Sequence, residues 1–168
     1  MATPSDRSLD ELIAELAQAK QRVQAIYGKL RNARDATLPR IGRTDDGALI
    51  VAGYLEIYYT VLETFFVRVS GFFENDLASA RWHTALLEKM NLEIEGVRAK
   101  VVGDTNLVRL RELLRFRHFR RYYVEMEYDW VRIDFLLATL DAAHPAVLAD
   151  LQDFEVFLRA VREYPASE

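Results

Sequence analysis

Apolar residues recur at three- and four-residue intervals along most of the chain, the spacing that places side chains on one face of a helix. Leu9, Leu12, Ile13, Leu16, Ala19, Val23, Ile26, Tyr27 and Leu30 predict a long amphipathic helix reaching about Ala36. Ser8 heads SLDE, in which the hydroxyl and the Glu11 carboxylate can satisfy free amides at a helix start. Pro39 and Gly42 are expected to end this helix, and RTDDG to form the loop after it. Ala48 to Glu74 is apolar almost all round and rich in aromatics (Tyr54, Tyr58, Tyr59, Phe65, Phe66, Phe72, Phe73), which predicts a central helix. Glu56 and Glu63 lie seven apart on one side of it. They either pair with arginines from another helix or face solvent.

Asn75 or Asp76 can cap the next segment, where Trp82, Leu86, Leu87 and Met90 make a core stripe running to about Ile94, with Gly96 as its stop. The connection VRAKVVGDT leads through Gly103 and a capping Asp104 or Thr105 into a helix beginning near Leu107. That helix should weaken between Glu125 and Asp129, and Asp129 can cap a helix from Trp130 to about Ala143. His144-Pro145 is expected to break it, because the residue before proline avoids helical geometry. Ala146 to Arg162, with Leu148, Leu151, Phe154, Leu158 and Val161, predicts the last helix. The expectation is an all-α up-and-down bundle of five or six helices: one domain over residues 1–168, with loose ends at about 1–5 and 165–168.

Charge singles out one of these helices. Between Arg109 and Arg121 lie six arginines (109, 111, 115, 117, 120, 121), His118 and a single acid, Glu112. The whole chain carries a formal −4. This window is at about +5, so the remainder sits near −9, an asymmetry that suggests an anionic ligand. Leu107, Leu110 and Leu114 share a face that Arg117, His118 and Arg121 continue, so those three are expected to line a cleft or an interface. Phe116, Phe119 and Tyr123 form a second apolar face that a partner helix or chain must cover. Arg109, Arg111 and Arg115 read first as surface residues paired with neighbouring acids.

The absence of cysteine excludes disulfides, thiolate zinc sites and a cysteine nucleophile. The three histidines (83, 118, 144) have no i, i+4 partner and no HExxH pattern, so neither a metal site nor a cofactor is expected. His83 reads as a surface or hydrogen-bonded residue. Glycine-rich phosphate loops, GxSxG elbows and dinucleotide fingerprints do not occur. MATPSDRSLDEL has no basic stretch followed by an apolar core, and Glu56, Glu63 and Arg68 interrupt the most apolar run; the expectation is a cytoplasmic protein without a membrane span.

Arginine and histidine together suffice for RNA cleavage without a metal. A base takes the proton of a ribose 2′-hydroxyl, which attacks the adjacent phosphate, and guanidinium groups stabilise the added charge. Arg117 and Arg121 are the candidate phosphate clamps and His118 the candidate proton carrier, with Glu63 in possible support. Arg111, Arg115 and Arg120 are candidate contacts to RNA or nucleotide phosphates.

FRHFRRYYVEMEYDW resembles the signature of HepT-like proteins of the HEPN superfamily through Phe116, Arg117, His118, Arg121, Glu127, Asp129 and Trp130. Upstream, Tyr58 to Val69 is similar to the family's aromatic, glutamate-bearing second helix, and RWHTALLEKM with IEGVR to its middle segment, so the resemblance covers roughly Tyr54 to Trp130. It implies a HEPN-type bundle that forms a homodimer with a composite ribonuclease site. It also implies a toxin role beside a minimal nucleotidyltransferase antitoxin, which in some systems attaches AMP to a motif tyrosine. The family motif is Arg, four residues, His, one residue, Tyr. Here the arginine is Arg117, while Tyr122 and Val124 occupy the other two positions. Tyr122 is therefore the candidate at the missing histidine's place, and the alternative is a catalytically lapsed protein that binds a nucleotidyltransferase, a nucleotide or RNA through the basic helix.

Overall fold

The computed structural model describes residues 4–74, 82–122 and 128–163, with the side chains of 4–7, 121 and 122 left out of the description. These residues form helices α1 (Pro4–Asn32), α2 (Leu38–Ile41), α3 (Asp45–Phe73), α4 (Trp82–Met90), α5 (Asp104–Tyr122) and α6 (Trp130–Glu163). Among the described residues there is no strand, only an isolated bridge between Ile94 and Arg98. The architecture is the expected all-α bundle.

Helix α3 is the centre, packing against α1, α4, α5 and α6. By length and mean hydropathy it could cross a membrane, but half of its most apolar window is buried within the bundle. Its Val51, Leu55, Tyr58, Leu62 and Phe66 meet Leu16 and Val23 of α1, Leu110 and Leu113 of α5 and Leu136, Leu140 and Phe154 of α6 in one continuous core. The Phe65 and Phe73 rings approach Phe154 edge-on, at centroid distances of 6.3 and 6.4 Å. Burying a side chain of this size contributes roughly 1.5–3 kcal/mol, and the apolar spacing read along the chain is the reason these residues converge.

Several boundaries differ from the sequence expectation. α1 starts at Pro4, so Ser8 lies within the helix rather than at its cap. Pro39 does not stop the first helix: a π-helical turn over Ala33–Thr37 loosens the ladder, and Pro39 falls in the first turn of α2, where its missing N–H costs nothing. Gly42, at φ +80°, makes the actual exit. α3 begins three residues earlier than expected, with the Gly47 amide donating to Thr44 Oγ1 at 3.2 Å.

α4 ends at Met90, short of Ile94. The loop after it folds back, and its last turn's carbonyls are taken up by that loop. Val101 and Val102 amides donate to the Met90 carbonyl, while the Arg98 guanidinium donates to the carbonyls of Lys89 and Leu92, each at 2.9 Å. Trp82, expected in the core, is 37% exposed, whereas Leu86, Leu87 and Met90 of the same stripe are buried.

The start of α5 depends on Asp150 of α6, which accepts from the Gly103 amide at 2.9 Å and from Asn106 Nδ2 at 2.6 Å. Asp104 serves the connection instead, accepting from Asn91 and Lys100, and both bonds hold its carboxyl below the usual range. Asp129 caps α6 as expected, accepting from the Val131 amide at 2.9 Å.

The expected break at His144-Pro145 is absent, and α6 runs through Pro145. Leu140, Ala143, His144, Val147 and Leu151 are all buried there, so tertiary packing holds the helix through a residue that removes one backbone bond. The anticipated cap at Asn75 or Asp76 and the weakening at 125–127 fall outside the described residues, as do the residues expected to be loose at the carboxy end.

Candidate functional site

Both glutamates of α3 meet arginines of α5. Arg117 Nη1 lies 2.6 Å from Glu63 Oε1, and Arg120 Nη1 lies 2.8 Å from Glu56 Oε2. A seven-residue step is two helical turns, so the two pairs stack along one side of α3. The upper pair is inside the protein: Arg117 is 3% exposed and Glu63 4%. A buried charge pair is retained only where each partner compensates the other's desolvation.

Glu63 also has a second partner. Its Oε2 is 2.7 Å from His83 Nδ1, so one carboxylate joins an arginine of α5 to a histidine of α4. The His83 side chain is 31% exposed, and its ring lies 3.8 Å from that of its neighbour Trp82. Arg117 also stands over the Tyr59 ring, 5.7 Å from its centroid. Burial, helped by Glu63 and opposed by Arg117, pushes the Tyr59 hydroxyl far above its ordinary pKa, so Tyr59 stays protonated. Arg117 Nε is buried without a hydrogen-bond partner.

The expected row of Arg117, His118 and Arg121 divides in the structure. Arg117 points into the bundle, and His118 is exposed one step round the helix, where it makes interactions of its own. The side chains of Arg121 and Tyr122, and all of Tyr123 to Glu127, lie outside the described residues. Among the other candidates, Arg111 pairs with Glu88 at 3.2 Å, Arg115 with Glu112 at 2.7 Å and the half-buried Arg120 with Glu56. Thus acids from α3, α4 and α5 itself compensate much of the helix's positive charge. The second apolar face also divides, with Phe116 buried and Phe119 42% exposed.

Two polar centres lay beyond the sequence reading. Arg98 is wholly buried and donates to Glu74 as well as to backbone carbonyls. His144 is buried on α6, stacked on Tyr27 at 4.0 Å with its Nδ1 2.9 Å from the Tyr58 hydroxyl. Burial raises the Tyr58 pKa, so the hydroxyl keeps its proton, and the direction of its bond with Nδ1 follows the His144 tautomer. Tyr27 and Arg34 both donate to Asp141, one turn earlier on α6. A shallow pocket nearby, lined by Arg34, Pro39, Arg43 and Asp134, has both arginines ion-paired with acids.

The described residues thus form an all-α bundle in which Glu63 of the central helix joins Arg117 of the basic helix to His83 of α4. Residues 50–158, more than half of the chain, match the HepT-like proteins, and the chain belongs to that family, within the HEPN superfamily. The match runs from α3 through most of α6, further than the motif resemblance between Tyr54 and Trp130. No curated protein and no solved structure matches the chain.

Proposed function

We propose that the protein is a metal-independent endoribonuclease, the toxin of a pair whose antitoxin is a minimal nucleotidyltransferase, acting as a homodimer in the cytoplasm. The reaction is attack of a ribose 2′-hydroxyl on the neighbouring phosphate, giving a 2′,3′-cyclic phosphate and a 5′-hydroxyl. One observation carries this reading: the motif arginine of a HepT-like chain, Arg117, is fixed on a buried carboxylate that also holds a histidine. The pair stands beside a half-exposed imidazole held by the same carboxylate, and that combination favours a chemical role. His118, Arg121 and Tyr122 on the same helix are the further candidates for proton transfer and phosphate contact, with Arg111, Arg115 and Arg120 as outer phosphate contacts.

A second reading is favoured by specific residues. Tyr122 and Val124 stand where the family motif has His and Tyr, and Arg111, Arg115 and Arg120 already have acidic partners. On this reading the chain is a lapsed enzyme that binds its nucleotidyltransferase, a nucleotide or RNA. Total tRNA and a structured RNA, incubated with the protein in EDTA and mapped for cyclic phosphate ends, separate the two. Cleavage that disappears in Arg117→Ala supports the ribonuclease. Equal lack of cleavage in both proteins removes it, and cleavage appearing only in Tyr122→His establishes the lapsed scaffold.

A further inference from the structure

The motif position that should supply the base holds Tyr122, yet 2′-hydroxyl attack needs a group that accepts a proton near neutral pH. The Glu63 carboxylate can only accept hydrogen bonds, so at 2.7 Å the His83 Nδ1 must carry the proton and donate it. That fixes the tautomer. In the neutral imidazole the remaining ring nitrogen, Nε2, is an acceptor, and the side chain is 31% exposed. Glu63 is itself held by Arg117 on its other oxygen, so the carboxylate cannot swing away from the histidine. A buried acid orienting a half-exposed imidazole is the arrangement that makes a histidine an effective base. His118 is exposed on the helix step next to Arg117, whereas the two oxygens of Glu63 face Arg117 and His83.

Trp82 supplies the second observation. This side chain is 37% exposed directly against the His83 ring. An exposed indole offers a flat face on which an unpaired nucleobase stacks, a contact worth about 1–3 kcal/mol in single-strand binding.

We infer that His83, not His118, is the catalytic base of the ribonuclease proposed above, with Glu63 and Arg117 as its positioning residues and Trp82 as the stacking platform for an unpaired RNA base. The inference rests on that ribonuclease reading. His83 Nε2 takes the 2′-hydroxyl proton as the 2′-oxygen bonds to phosphorus; the bond from phosphorus to the 5′-oxygen breaks, and water protonates the leaving oxygen. The imidazolium then returns its proton to solvent.

The test uses the full-length protein in EDTA on a single-stranded RNA oligonucleotide and on the same sequence in a duplex, with rates measured across pH 5 to 9 and folding followed by thermal melting. His83→Ala is expected to lower the rate roughly 100-fold or more, in the range general bases contribute, and to lose the rising limb of the pH profile, while Arg159→Ala, on the exposed side of α6, stays within severalfold of wild type. Added imidazole should restore part of the His83→Ala rate. Glu63→Gln should move the limb, and Trp82→Ala should raise KM for the single strand with little change in kcat. If wild type cleaves and folded His83→Ala cleaves equally well, this inference falls and the ribonuclease reading stands. If wild type does not cleave at all, both fall. Should His83→Ala fail to fold, His83→Gln takes its place in the imidazole rescue, and cleavage by folded His83→Gln at the wild-type rate without imidazole overturns the assignment.

Discussion

Two buried arginines, Arg98 and Arg117, are handled in opposite ways. Arg98 sits in the loop after α4 with its side chain wholly enclosed, and its donors reach Glu74 Oε1 at 2.6 Å and the carbonyls of Lys89, Leu92 and Ala99. Every nitrogen is engaged, and the carbonyls it reaches tie the last turn of α4, through Lys89, to the loop that follows, through Leu92 and Ala99. Among the described residues Arg117 pairs with Glu63, and its buried Nε has no hydrogen-bond partner there. The first arginine is a clamp on the backbone. The second is held in place with donor capacity remaining, beside a histidine that solvent reaches. Buried charge alone therefore does not mark a site; incomplete satisfaction next to an exposed titratable group does.

That contrast can be broken at several points. The largest effect is expected at Arg98→Met, which strips the Glu74 carboxylate of its inner partner and removes the bonds to the carbonyls of Lys89, Leu92 and Ala99. A loss of about 3–5 kcal/mol is expected from denaturant melts, and a loss below about 1 kcal/mol would show that the clamp is dispensable. Glu74 sharpens the point through pH. Its burial would raise its pKa, but hydrogen bonds from Lys89 and Arg98 outweigh that and hold it below 4.5. Its contribution is therefore complete above that value and is lost as pH falls through the lower folded pKa.

Next in size is the Arg117–Glu63 pair. Arg117→Met and Glu63→Leu should each destabilise by leaving a lone buried charge, while the double variant recovers much of the loss, a coupling of about 1–3 kcal/mol. Strict additivity of the two would mean that the pair is not formed in solution.

A smaller effect belongs to His144. Burial lowers its pKa below 6.5 against an opposing pull from Asp141, so the folded protein binds this proton less readily than the unfolded chain. Its stabilising share is whole above pH 6.5 and declines as pH falls through the folded pKa. Melting midpoints should drop between pH 7.5 and 5.5 in wild type, and His144→Gln should flatten that drop; an unchanged slope would remove His144 as its source. The smallest change is Arg115→Ala, which should stay within roughly 0.5 kcal/mol because its pair with Glu112 is open to solvent. A larger loss by denaturant melt would show that surface pairing on α5 carries stability.

How much of this was legible depends on the distance over which a residue finds its partner. The helices of the bundle follow from local apolar spacing, and the seven-residue step between Glu56 and Glu63 already offered pairing with the basic helix. Burial overruled a local rule where packing was strong, at Pro145 inside α6, and spacing alone did not keep Trp82 in the core. Arg98 gave no sign because most of its partners are backbone carbonyls, which no side-chain pattern encodes. His83 finds Glu63 across a helix connection, so the dyad becomes visible only when α3 and α4 are packed together. On α5, spacing grouped Arg117 with His118, but one residue is a turn of about 100°, enough to put one inside and the other out.

The most direct measurement is RNA cleavage in EDTA by Arg98→Met and Arg117→Lys, each at a temperature where melting shows it folded, with rates normalised to folded protein. Arg98→Met is expected to cleave at close to the wild-type rate and Arg117→Lys at least 10-fold more slowly, because lysine keeps the charge but not the planar fork that fixes Glu63. Equal rates for the two would contradict the distinction between clamp and site.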